Sequence, residues 1–375
     1  MVRLTRAQQQ ERTRASVLAA AREEFTAHDY AAVKIDRIAE RAELTRGAVY
    51  SNFPSKRALY LAVLIDLVES ADTGEPPEPA ASPRSTAEAL GAFARAWLER
   101  LPLVDDTASG GRLQLRSLTG VLDDAGRAML AQLARLEAVL LATALESSEP
   151  ARAQPVRRVR LAELVLTLLD GSGHLAATAP GFGDSFDVAR ACEHLAGIDL
   201  ADTWDPPHLP YAAPAQPCAD TWDPPAGLAD EIGGGRLDFG GDGLIAVLAP
   251  GRVAAAEEAI RSAAPGQQVT VAVVTEDRAE TGRLLRLRVA DLVGCLRRVF
   301  PAAAWQRLRL VIDPEARTPS ALGLNWADDE TEAAAHLSGG RIVARARGRG
   351  AAYAAAGAGG SENSESAPRS SGTTI

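Results

Sequence analysis

Residues 201–225 hold seven prolines and one heptapeptide twice: ADTWDPP runs from 201 to 207 and again from 219 to 225. Proline fixes its own φ and has no amide proton to donate, so neither a long helix nor a central strand runs through such a segment. The chain must divide there. Asp-Pro-Pro favours turns and polyproline II, which predicts a semi-rigid linker reaching up to about 75 Å at ~3.1 Å per residue. The repeat reads first as a duplicated spacer, second as two aromatic anchors, Trp204 and Trp222, that dock on something.

Upstream of the prolines the periodicity is helical. Val17, Ala21 and Phe25 recur on one face of RASVLAAAREEFTAHDY, and Leu59, Val63 and Leu67 on one face of KRALYLAVLIDLVES. Two short helices are predicted between them, in IDRIAERA and RGAVYSNF. A Pro-rich loop follows at 73–83, and Ser85 with Glu88 forms a capping-box pattern that opens the next helix. Further helical patterns run over 111–122, 125–147, 155–178 and 184–197.

Downstream the period is mixed. Leu244–Leu248 reads as a buried strand, VAAAEEAIRSAA as a helix and QVTVAVVTED as a strand. AETGRLLRLRVADLVGCLRRVF reads as a helix and RLRLVID as a strand. This β-α-β-α-β order predicts a small α/β module with parallel strands. From 351 the Gly-, Ser- and Ala-rich sequence predicts a disordered tail.

Charge is uneven. The whole chain carries −9 with a pI near 5.3. Residues 1–60 hold eleven basic and seven acidic side chains, a local +4 that leaves −13 for the rest. Both lysines of the chain, Lys34 and Lys56, fall in this head. A basic head on an acidic body fits a local footprint for nucleic acid. Cys192, Cys218 and Cys295 make no CxxC pair, so neither a disulfide framework nor a zinc site is indicated, and a reduced compartment is expected. The N-terminus has no apolar signal core and no long apolar run predicts a membrane span.

Two short helices joined by a tight turn are a helix-turn-helix pattern. Ile35, Ile38, Ala39 and Ala42 form the inner face of the first. Thr45 is a good N-cap for the second, whose Val49 and Phe53 turn inward. Gly47 and Ala48 are small enough for close approach to a neighbouring helix and to DNA. Arg46, Tyr50, Ser51 and Asn52 are left for an outer face. In a major groove, arginine can read guanine and asparagine adenine, while tyrosine hydroxyls and lysine amines suit phosphate.

KIDRIAERAELTRGAVYSNFPSKRALYLAVL (34–64) resembles the DNA-binding domain of the tetracycline-repressor (TetR) family of bacterial regulators. The matching residues are Ile38, Ala39, Ala42, Thr45, Gly47, Tyr50, Phe53, Ser55, Lys56 and Leu59. The resemblance implies that Lys56 contacts backbone phosphate and that Lys34 lies near phosphate. LVLTLLDGSGHLAAT (164–178) fits the family's variable ligand and dimer domain. Glu43 departs from the pattern, because the family usually has glycine at that turn. Residues 201–375 lie outside the resemblance.

The implied fold is all-α for about 1–200 followed by a small α/β module. The segments are a head at 1–70, a ligand and dimer domain at 85–200, the linker at 201–225, the module at 226–350 and the tail at 351–375. A chain ending near Ala201 is expected to fold alone. The implied function is a cytoplasmic, dimeric, ligand-responsive repressor on a palindromic DNA operator, not an enzyme, with no cofactor, metal or membrane partner. Trp97, Leu118, Leu122 and His174 are candidate pocket residues. His174 reads first as an interior or interface histidine, and Trp97 first as core. The glycine-rich run 233–243 reads as a flexible hairpin rather than a phosphate loop, and Gly251 marks a weak anion-binding pattern. The competing reading gives the C-terminal module an enzymatic or protein-interaction activity of its own.

Overall fold

The computed structural model describes residues 5–71, 83–100, 118, 120–148, 157–179, 181–239, 241–324 and 328–365. Two compact units result: residues 1–202 together with 277–304, and residues 203–276 together with 305–375.

The first unit is helical. Its elements are α1 (Arg6–Ala27), α2 (Ile35–Arg41), α3 (Arg46–Asn52), α4 (Lys56–Ala71), α5 (Thr86–Leu98), α6 (Asp124–Ser147), α7 (Val159–Thr178) and α8 (Ser185–Leu195). Side-chain oxygens of Thr5, Thr45, Ser85, Asp123 and Asp184 accept from amides of the first turns of α1, α3, α5, α6 and α8. Each cap satisfies a donor that the helix itself leaves open. Most of the expected helix at 111–122 and of the loop at 73–83 lies outside the described residues, and the described end of the first, 118 and 120–122, forms a turn rather than a helix.

A further helix of this unit comes from far downstream. α10 (Thr281–Arg297) packs on α4, α5 and α6. The continuous module expected over 226–350 is therefore interrupted, and a chain ending near Ala201 would lack this helix. Leu284, Leu285, Leu287, Leu292, Val293 and Leu296 of α10 are all buried. Its sequence pattern is that of an ordinary crossover helix, and nothing in it reveals which core receives it.

α6 is the one described helix long and apolar enough to cross a membrane. Leu133, Leu136, Leu140, Leu141 and Leu145 are buried in the unit, as is Glu137, which faces Arg288 of α10. Core packing accounts for its composition.

The second unit is built on a mixed six-stranded sheet of order β1-β6-β5-β2-β3-β4. β2 (Gly243–Leu248), β3 (Gln268–Val273) and β4 (Leu308–Ile312) are parallel, as the sequence predicts. β5 (Glu332–Ser338), β6 (Arg341–Arg347) and β1 (Gln216–Thr221) add an antiparallel half that the sequence reading lacks. α9 (Ala256–Ser262), α11 (Arg317–Ala321) and α12 (Ala351–Glu365) complete it. Gly339 and Gly340, both at positive φ, turn β5 into β6, the backbone a two-residue hairpin needs.

Two expectations change here. The second copy of the heptapeptide is not a free spacer. Its Ala219–Thr221 form the end of β1, and Trp222 lies buried edge-on to Phe239, with Nε1 donating to the Phe239 carbonyl at 3.3 Å. The first copy has no regular structure, and Arg261 stands over the Trp204 ring at 5.9 Å. Nor does order end at 351. α12 packs on β5 and β6 and buries Ala351, Ala352 and Ala355, while residues 366–375 lie outside the described residues.

Around the glycine-rich run the chain makes a tight hairpin, with Ala229 bridged to Arg236 and the Leu237 amide donating to the Leu228 carbonyl. The weak anion-site pattern at Gly251 is overturned. Its amide donates to the Asp329 carbonyl at 2.9 Å, and a Cβ there would come within 2.6 Å of that oxygen. The glycine serves close backbone approach, and its donor is already used.

Candidate nucleic-acid interface

α2 buries Ile35, Ile38 and Ala39, and α3 buries Val49, followed by buried Phe53. These inward residues leave Lys34, Thr45, Arg46, Gly47, Tyr50 and Ser51 exposed around the turn and α3. Between the helices the chain makes a Schellman turn, in which the Leu44 amide donates to the Ala39 carbonyl at 2.9 Å. Its hinge residue is Glu43, at φ 55°. That left-handed backbone favours glycine, so the acidic residue sits there with strain of roughly 1–2 kcal/mol.

Thr45 Oγ1 caps α3 by accepting from the Ala48 amide at 3.2 Å. Arg46 is exposed, 3.5 Å from Asp36 Oδ1 and 5.5 Å from the centroid of Tyr50. Such an exposed pair holds the guanidinium weakly, so a stronger anion can take it. A Cβ on Gly47 would meet only Thr45 Oγ1, at 3.8 Å. Nothing inside the protein demands glycine there, and close approach to a neighbouring helix is not the reason for it.

Two predicted contacts are less open than the sequence suggests. Asn52 is half-buried, and its Nδ2 donates to the Ala48 carbonyl at 2.9 Å, so the donor that would pair with adenine is engaged within its own helix. Lys56 Nζ donates to the carbonyls of Val33 at 2.8 Å and Ala31 at 3.3 Å and lies 4.5 Å from the Tyr30 centroid. Burial pushes its ammonium below the usual lysine range. Lys56 thus ties the α1–α2 loop to the start of α4, a role that no pattern around it announced. Lys34, by contrast, is exposed and its side chain makes no cap bond.

The pocket candidates separate. Trp97, Leu118 and Leu122 are buried in the helical unit, whereas His174 is exposed on α7. The histidine therefore does not line the interior with them. A cavity of about 230 Å³ lies elsewhere in the unit, between Arg157, Arg158 and Leu161 at the start of α7 and residues 196–200 and 202 after α8.

α7, α8 and the segment between them also present apolar surface. Leu164, Leu175, Phe182 and Phe186 are exposed, the two phenylalanines by 70% and 73%. Leu164 and Leu175 are eleven residues apart, three helical turns on one side of α7.

Residues 17–63 match the family described as bacterial regulatory proteins, tetR family. Two solved structures are similar to this chain. A TetR transcriptional regulator from Rhodococcus sp. RHA1 shares 20% identity, with a TM-score of 0.33, over 52% of this chain and 99% of its own. RolR in complex with its ligand resorcinol likewise shares 20% identity, with a TM-score of 0.32, over 52% and 99%. No curated protein matches.

Proposed function

We propose that this protein is a ligand-responsive repressor that binds a palindromic DNA operator as a homodimer. Residues 17–63 form a TetR-type DNA-binding regulator domain, and the finer reading builds on its geometry. The observation that carries it is the exposed set Lys34, Thr45, Arg46, Tyr50 and Ser51 on an α2–turn–α3 scaffold that buries Ile35, Ile38, Ala39, Val49 and Phe53. Arg46 is the base reader. Tyr50, Ser51 and Lys34 position the backbone. Dimerisation through the apolar surface of α7 and α8 would set two recognition helices one DNA turn apart, about 34–36 Å. A small ligand entering the helical unit near Trp97, Leu118 and Leu122 would favour a spacing of the two heads that no longer fits. We read the chain as cytoplasmic and without catalytic activity.

The test is to sequence the genomic fragments retained by the purified protein and to titrate the best of them by gel shift. A palindromic consensus bound by two protomers is the expected outcome. Equal affinity for every fragment and for bulk DNA would sink the reading.

A further inference from the structure

α10 lies in sequence between β3 and β4, yet belongs to the helical unit, while residues 276 and 305 on its flanks belong to the sheet unit. Two stripes of side chains hold it there. On one stripe, Glu280 accepts hydrogen bonds from Ser55 and Arg57, Arg283 Nη1 donates to the Ala58 carbonyl at 3.2 Å, and Arg286 Nη2 pairs with Glu69 at 2.7 Å. Spaced three apart, these residues share a face of α10, and they grip α4 from its first turn to its last. On the other stripe, Arg288 pairs with Glu137 of α6, Asp291 with Arg100 after α5 at 2.7 Å, and Cys295 Sγ faces the Ala96 carbonyl.

The grip continues to the reading head. Arg283 stands 5.3 Å from the centroid of Phe53, the residue that closes α3. Arg57 bridges Glu280 to Asp123, the N-cap of α6. One guanidinium at the start of α4 thus joins the helix leaving the head, the body of the helical unit and the helix supplied by the downstream chain.

We propose that α10 is the handle by which the sheet unit controls DNA binding: a change that shifts the ends of β3 and β4 moves α10, and α10 moves α4 and the head attached to it. This rests on the DNA-binding reading above and adds a second input to it. The physical requirement is one element whose position both regions bias, and α10 meets it by covalent continuity at both ends and by the α4 grip along its length. Holding α4 in one orientation also narrows the range of head positions, which favours operator binding by preorganisation.

The experiment is a cycle in the full-length chain. One change loosens the grip, Glu280→Ala with Arg286→Ala. The other loosens the sheet unit, Trp222→Phe, which keeps a ring in the slot, with Trp222→Ala as the stronger variant. Helix content and assembly state are checked for each. The readouts are amide exchange in α4 without DNA and operator affinity. The grip variant should speed exchange in the first turn of α4 and weaken operator binding about fivefold or more. Trp222→Phe should speed α4 exchange in the wild-type background and have no further effect in the grip variant. Unchanged α4 exchange in the grip variant overturns the proposal, as does a Trp222 effect of equal size in both backgrounds. Exchange needs no DNA, so failure to find an operator would count against the function above and not against the handle.

Discussion

Arg288 and Glu137, 151 residues apart in sequence, meet through two parallel hydrogen bonds of 2.7 and 2.6 Å, with both side chains buried. Burial pushes the Glu137 carboxyl above the usual carboxylate range against the pull of Arg288. Burial alone would lower the Arg288 guanidinium, but the carboxylate and its hydrogen bonds hold it above its ordinary value. The pair fixes α10 on α6. Glu137→Ala leaves a buried charge without its partner and should destabilise the helical unit by about 3–5 kcal/mol. Glu137→Leu combined with Arg288→Met replaces both charges by apolar groups and should be far milder. Urea denaturation followed by helical circular dichroism compares them. Equal losses for the single and the double variant would show that the pairing does not govern the effect.

A chain cut after Asp202 loses α10, and with it Arg288, Asp291 and a buried run of leucines and valines. It should be insoluble or lack cooperative unfolding. Adding a peptide of residues 277–304 in excess should restore helical structure by mass action. A soluble truncated chain with a sharp unfolding transition would show that residues 1–202 suffice without α10.

At Glu43 the left-handed backbone strains an exposed acidic residue in the turn between α2 and α3. Glu43→Gly should raise the unfolding free energy by about 0.5–1 kcal/mol, and strengthen DNA binding by removing a negative charge. A lowered melting temperature would contradict this account of the turn.

Arg46 and Lys56 should respond differently. Arg46→Ala removes an exposed guanidinium and should cost about 1–3 kcal/mol of operator affinity while relaxing base preference. Lys56→Ala removes the tie from α4 to the Ala31 and Val33 carbonyls. Its main effect should be faster amide exchange in the loop at 29–33, with a similar loss of affinity for every DNA sequence. Selective loss of one base preference in Lys56→Ala would reverse the assignment.

The sequence by itself determined the head. Ile35, Ile38 and Ala39 mark one inward face and Val49 and Phe53 the next, Thr45 caps the second helix, and contacts within about thirty residues suffice to build a helix-turn-helix. It also determined β2, β3 and β4, whose unbroken apolar runs suit strands buried on both faces. β5 and β6 escaped because alanine gives little strand signal, although Gly339-Gly340 between them marks a hairpin. Only the tertiary structure decided that Trp222 enters a core while Trp204 does not, since the two lie in identical heptapeptides. The difference is that Ala219–Thr221 pair with β6, which carries the ring next to Phe239. Only the tertiary structure, too, decided where α10 belongs. Its apolar pattern would fit any core, and the choice rests on Glu137, Arg100, Glu69 and Ser55, partners at least 150 residues away whose charges and hydroxyls match its own.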